Sequence, residues 1–368
     1  MTKSNPVATG LSHGRPDHAG HVERAVHKAL AKTCAMRANS VLLFLTSDYA
    51  LDPKPAMRAA ARAASCTQVT GATGIGLLTE EEWVIDGSGA AALVLTGQVQ
   101  LGLAQQADPS QLRLCLSTPR AVSASWLDEP IKRFGAIASD ELGDGPFAVW
   151  TSGSLVQDGF IEVIVRGACP EVAVARGVRV LTAPLQVDVV KGYDVYRIAN
   201  YPALHVLINA LPKAIQKQQQ LPLYMVMCGV TFGEPDSAID EGRFRLDHIL
   251  AANPEDRSIT LSHPLRPGEL LFWAMRDRLT AERTMQDAAR TCLQNLGGAA
   301  DFIIMFPCLS RGPQFFGGTD KDITMVREIF PDTPIIGFYG NGEIAPLGEY
   351  SHLHQYSTVL AAFRCFNA

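Results

Sequence analysis

Residues 334–358 read PIIGFYGNGEIAPLGEYSHLHQYST. An apolar run, 335–336, enters a turn with glycines at 337, 340 and 342. A lone acid, Glu343, follows, and His352 and His354 precede the last apolar run. Glycine at this density lets backbone approach something closely and supplies turn conformations that other residues resist. The bland reading is a β-hairpin with a glycine-rich tip and a surface acid. The other reading is a binding turn, with a carboxylate and an imidazole on either side of it.

Working outward, the same spacing occurs once more. Residues 71–76 read GATGIG, so Gly71, Gly74 and Gly76 repeat the pattern of Gly337, Gly340 and Gly342. Each turn follows a short apolar strand and precedes polar residues and another strand, 89–96 or 357–363. Upstream of each lie a continuous apolar strand (40–46, SVLLFLT; 302–306, FIIMF) and a helix. Runs of this kind suit buried strands. The shared order predicts an α/β fold of two related halves, each a mixed sheet flanked by helices, with domains 1–175 and 176–368. The second copy carries Glu343 where the first has Leu77, which puts the chemistry in the second half.

The glycine turn is neither a phosphate loop nor a dinucleotide fingerprint: no Gly-Lys-Ser/Thr follows it, and no periodic helix opens after it. Helices are expected at 16–32, 53–64, 202–211, 280–296 and 321–330, with strands between them. Asn200 is expected to cap the third of these. His18, His21 and His27 lie off the apolar stripe of the first helix or at its edge; an i,i+3 pair of histidines can bind a metal, but no acid or cysteine completes a set nearby, and they are expected to face solvent.

The net charge of −5 and the absence of any Lys/Arg run argue against a nucleic-acid protein. No stretch approaches the roughly 18 apolar residues of a membrane helix, and the first residues lack the apolar core of a signal peptide. The eight cysteines are scattered with no C-x-x-C pattern. They read as reduced, mostly buried thiols in a cytoplasmic protein.

Strand ends are where such sheets bind ligands. Cys308, Ser310 and Arg311 sit at one predicted end; Tyr339, Asn341 and Glu343 sit at the next, and His354 begins a return strand. Arg311 suits a carboxylate, because its planar fork bonds two oxygens at once, and Glu343 suits an ammonium. Together they complement a zwitterionic ligand; the alternative is an Arg311–Glu343 salt bridge joining two loops. Cys308 with His354 also has the composition of a nucleophile–base pair, and a haem needs one axial ligand in an apolar pocket.

The pattern C-x-x-R-G at 308–312, G-F-Y-x-x-G-E-I-x-P at 337–346 and L-H-x-x-S at 353–357 resembles the C-terminal signature of FIST-domain proteins. SVLLFLTSDY and VTGATGIG resemble the N-terminal region of that family. The resemblance implies a FIST N-terminal domain, 1–175, and a FIST C-terminal domain, 176–368. It implies a ligand-sensing protein of signal transduction rather than an enzyme, regulating a separate partner. Cys308, Arg311, Tyr339, Asn341, Glu343 and His354 would be its ligand-binding residues. Amino acids are one ligand class it implies. The haem-binding, nitric-oxide-sensing branch, acting on a histidine kinase of a two-component system, is another. In that branch haem b would take His354 as axial ligand, or else His352 or His205. A cysteine-dependent hydrolase or transferase is the remaining alternative.

Overall fold

The computed structural model describes residues 5–104, 111–156, 159–218 and 220–366. They form two compact units, Met1–Arg176 with Glu282–Ala368, and Gly177–Ala281.

The first unit opens with β1 (Val7–Gly14), α1 (His18–Thr33), β2 (Ser40–Thr46), α2 (Lys54–Ala64), β3 (Val69–Gly74), β4 (Gly76–Thr79), β5 (Trp83–Ile85) and β6 (Ser88–Leu95). Asp17 caps α1, its side chain accepting from the Gly20 N–H. Next come β7 (Gln100–Leu103), β8 (Arg113–Ser117), the short helix α3 (Ala124–Leu127), β9 (Arg133–Ile137), β10 (Val149–Thr151), β11 (Ser154–Val156), β12 (Phe160–Arg166) and β13 (Ala168–Arg176).

The second unit holds β14 (Val178–Val180), β15 (Leu185–Lys191), β16 (Asp194–Ile198), β17 (Tyr201–Pro202), α4 (Ala203–Ala210), α5 (Lys213–Gln216), β18 (Val226–Thr231), α6 (Pro235–Glu241), β19 (Phe244–Asn253), β20 (Ser258–Leu261) and β21 (Leu270–Arg276). The ladder β21–β15–β16–β20–β19–β18 returns to β21, so six antiparallel strands close into a barrel. Closure leaves these strands no open edge. Val187, Val195, Cys228, Ile259 and Trp273 fill its core, and α4 packs against it through Leu204 and Leu207.

Helix α7 (Arg278–Asn295) carries the chain back into the first unit. There follow β22 (Phe302–Pro307), α8 (Pro313–Phe316), α9 (Lys321–Ile329), β23 (Ile335–Phe338), β24 (Glu343–Leu347), β25 (Tyr350–His354) and β26 (Ser357–Cys365).

The first unit contains the repeat that the two glycine turns predict. One sheet runs β1–β6–β2–β3 and continues to β10 and β11; another runs β13–β26–β22–β23 and continues to β4 and β5. In each, the third and fourth strands are parallel and the other pairs among these four are antiparallel. The parallel pairs are joined through α2 and α9. Leu42, Phe44, Leu93, Ile304, Phe306, Phe338 and Ala361 meet in one shared core. Phe44 lies 5.9 Å from Phe306 and 5.0 Å from Phe338, ring to ring. The opposite strand faces are covered by α1 and α2 in one copy and by α7 and α9 in the other. A third sheet, β25–β24–β9–β8–β12–β7, completes the unit.

Glycine opens both motifs for the same reason. Gly71 faces Leu43 and Gly337 faces Met305 across the parallel pairs. A Cβ at either would lie 1.7 or 1.8 Å from that neighbour's carbonyl oxygen.

Several expectations change. Compact units and sequence halves divide the chain differently: residues 282–368, expected in a second domain with 176–281, belong to the first unit. Asn200 does not cap α4. It sits at φ 65°, its N–H bonded to Asp188, and Pro202 stands at the cap. His21 is buried, pairing with Ser12 Oγ at 3.1 Å and the Arg15 carbonyl at 2.8 Å, while His18 and His27 are exposed. All eight cysteines are free, with Cys115, Cys228, Cys292 and Cys308 buried.

Candidate functional site

Strands β22 and β23 end side by side, and a parallel bridge between Cys308 and Gly340 extends their pairing by one step. In the first copy Thr46 pairs with Gly74. Cys308 therefore takes the place of Thr46, and Glu343 that of Leu77. The polar residues of the second copy gather around this bridge.

A 3-10 turn, Leu309–Arg311, follows Cys308 and turns the Arg311 side chain inward. Arg311 Nε donates to Asp322 Oδ2 at 2.7 Å and Nη2 to Oδ1 at 2.9 Å. Its Nη1 donates to the Ala175 carbonyl at 3.2 Å. Both side chains of this pair are 1% exposed. Thr358 Oγ1 also donates to Asp322. Asp320 caps α9 by accepting from the Ile323 N–H and accepts the Tyr339 hydroxyl. Burial, and then the neighbouring Asp322 charge, push Asp320 up to about 6. Arg311 and Tyr339 thus tie the turn after β22, the start of α9, the end of β23 and strand β13 together. The carboxylate in the arginine fork is Asp322, not Glu343.

Glu343 opens β24 and is fully buried. Ser357 Oγ donates to its Oε2 at 2.7 Å, while Oε1 has no hydrogen-bond partner among the described residues. Burial raises this carboxyl well above the ordinary range and favours its neutral form. The Cys308 thiol lies alongside; burial, above all, pushes it up to about 12. A thiol so placed is not a thiolate at neutral pH, and the thiolate is the nucleophile.

His354 stands directly opposite Glu343 in the β24–β25 register. Opposed residues leave a sheet on the same face, their Cβ atoms about 5 Å apart. The imidazole is buried and its Nε2 has no partner among the described residues. Burial, the Arg176 charge and His352 lower it to about 3, so it is neutral.

Of the residues that the sequence pointed to, Cys308, Arg311, Tyr339, Glu343 and His354 are buried in the first unit. Asn341 is exposed and contributes its N–H to the Ile137 carbonyl at 3.1 Å. His352 is half-buried, and His205 is exposed on α4 in the barrel unit. Two open grooves, of about 900 Å³ beside Lys132, Arg166, Pro346 and Phe366 and about 590 Å³ on the barrel unit, are lined by none of these eight residues. Sequence reasoning missed Asp320 and Asp322. Asp320 carries a readable signal, an aspartate directly before a helix; the Arg311–Asp322 pairing carries none. Among the described residues no His, Cys, Asp and Glu side chains group to hold a metal, and no helix is long and apolar enough to cross a membrane.

Comparison with known proteins bears on this site. Residues 203–346 match the family model described as the FIST C domain. The match runs from α4 of the barrel unit through Cys308, Arg311 and Glu343 to Pro346. An uncharacterized protein of Mycobacterium tuberculosis is 24% identical over 229 residues, covering 62% of this chain and 60% of its own length. An uncharacterized protein of Mycobacterium bovis is 23% identical over the same length, covering 62% and 59%. F-box only protein 22 of Pongo abelii is 40% identical over 80 residues, 20% of this chain and 18% of that protein. The chain spans about 60% of the length of the mycobacterial relatives. FIST domains are sensory modules of signal transduction that bind small ligands. The motif around the glycine turn lies within residues 203–346, the part of the chain that is similar to the FIST C domain.

Proposed function

We propose that this chain senses a small ligand at the Cys308–Glu343–His354 cluster and passes its state to a separate signalling partner. One observation carries the reading: a fully buried carboxyl with Ser357 and the Cys308 thiol beside it, whose Oε1 has no hydrogen-bond partner among the described residues. Buried polar groups are almost always satisfied, and an orphaned one calls for an explanation. The family match supports the sensory class, and eight free cysteines suit the cytoplasm. An amino-acid-like ligand is the first reading. Thermal shift of the purified protein against single amino acids tests it: a rise in Tm for some and not others supports the reading, and a flat panel counts against it.

A second reading is the haem b branch, with nitric oxide as signal and a histidine kinase as partner. It rests on His354, whose buried Nε2 has no partner among the described residues and is a suitable axial donor. His354 would hold the haem in a water-excluded setting, and the haem would supply the chemistry that senses nitric oxide. A Soret band that shifts with nitric oxide and is lost in His354→Ala selects this branch. A colourless protein after haem reconstitution rejects it. The hydrolase or transferase reading needs a Cys308 thiolate, and turnover of a thioester abolished by Cys308→Ala is its test.

A further inference from the structure

The ligand chemistry of the cluster is narrower than a zwitterion. This inference rests on the sensor reading above and sharpens it. Three features decide it. The arginine fork that would take a ligand carboxylate is filled by Asp322, and its Nη1 is bonded to the Ala175 carbonyl. Within the cluster, Glu343 Oε1 and His354 Nε2 are buried without a hydrogen-bond partner among the described residues, and they come from residues opposed in register. Both are hydrogen-bond acceptors in the forms that matter. The His354 ring already bonds the Ala345 backbone, and with Nε2 unbonded that contact falls to its other nitrogen, leaving Nε2 a lone pair. Glu343 Oε1 accepts once its carboxyl is ionised.

We propose that the cluster receives a protonated amine, with Glu343 as its counter-charge, His354 Nε2 as a second acceptor and no carboxylate partner from Arg311. The charges around it agree. Arg311, whose donors are taken by Asp322 and the Ala175 carbonyl, is the cation nearest Asp320 and Glu343 by charge, and the Cys308 thiol beside Glu343 carries no charge. The opposing cation is Arg176, on the His354 side. Without a ligand, burial favours the protonated form of Glu343. An arriving ammonium group supplies the opposite charge that a buried carboxylate needs. Glu343 then loses its proton to solvent, Oε1 accepts an N–H from the ligand, and Ser357 keeps donating to Oε2. No covalent bond changes.

The test uses the full chain and defined probes: ammonium and methylammonium chloride, tetramethylammonium chloride, sodium chloride, glycine and sodium acetate at equal ionic strength. Ammonium or methylammonium is expected to raise Tm above sodium chloride. Tetramethylammonium, which has no N–H, and acetate are expected to match sodium chloride. Glu343→Gln is expected to lose the shift. Calorimetry of the wild type in two buffers of different ionisation heat is expected to show about one proton released per ligand near neutral pH, a readout that does not depend on the variant folding. If glycine or another amino acid binds while methylammonium behaves as sodium, the amine assignment falls and the sensor reading stands. If amines bind without proton release, or equally to Glu343→Gln, the assignment to Glu343 falls. If neither amines, amino acids nor haem bind, both fall.

Discussion

Glu343 and His354 oppose each other across the β24–β25 ladder, and burial favours the neutral form of both. Each carries one buried atom without a hydrogen-bond partner among the described residues. Their titrations act on stability with opposite signs.

For Glu343 the folded protein holds its proton more tightly than the unfolded chain does. The benefit is complete below the ordinary value of 4.5 and is lost as pH rises toward the higher folded value. Glu343→Gln does not titrate. It is expected to gain on the wild type by up to about 1.4 kcal/mol per pH unit above pH 4.5, levelling off where Glu343 ionises in the folded protein. Urea unfolding at pH 4, 5, 6 and 7 measures the difference. A difference that stays constant with pH would mean that Glu343 is ionised in the fold.

His354 behaves in the reverse sense. The unfolded imidazole takes a proton below its ordinary value of 6.5, and the folded one does so only near 3. Stability is therefore lost as pH falls from 6.5 toward 3. His354→Leu is expected to flatten this acid limb by up to about 1.4 kcal/mol per pH unit. An unchanged slope would place the proton uptake on other groups.

Arg311 and Asp322 are buried together, so losing one strands the other. Arg311→Met is expected to cost about 3–5 kcal/mol by denaturant unfolding. Adding Asp322→Leu is expected to recover part of that loss, because the stranded charge goes with it. A double variant less stable than Arg311→Met would show that Asp322 is held chiefly by Thr358 and its other neighbours.

Gly71→Ala and Gly337→Ala place a methyl against a carbonyl of the parallel neighbour in each copy of the repeat. Each is expected to destabilise by about 1–3 kcal/mol, since packed strands part only at a cost. Similar losses at both positions check that the two turns serve one structural purpose. A tolerated Gly337→Ala would show that the second copy has room to relax.

The fold was legible where local pattern and strand pairing coincide. The two glycine turns, the apolar runs 40–46 and 302–306 and the helices before them carry the repeat on their face. Closure of the barrel was not legible: β18 and β21 meet across nearly forty residues of chain, and alternating strands read alike in an open or a closed sheet. The site was half legible. Glu343, His354 and Cys308 stand out by residue type near a glycine turn, and they do assemble. Arg311 stands out for the same reason, yet its partner is set by the path of α9. No short spacing in the sequence reports that path.

The barrel enters between β13 and α7, and the matching junction of the first copy is only residues 15–17. Thr284 Oγ1 donates to the Arg176 carbonyl at 2.7 Å, so the chain departs from and rejoins the first unit at neighbouring points. The entropy of closing such a segment grows only with the logarithm of its length, about 0.6 kcal/mol per doubling, so a long insertion here costs little more than a short one. The joint is thus a splice point, where one folded module can be exchanged for another without re-laying the strands on either side.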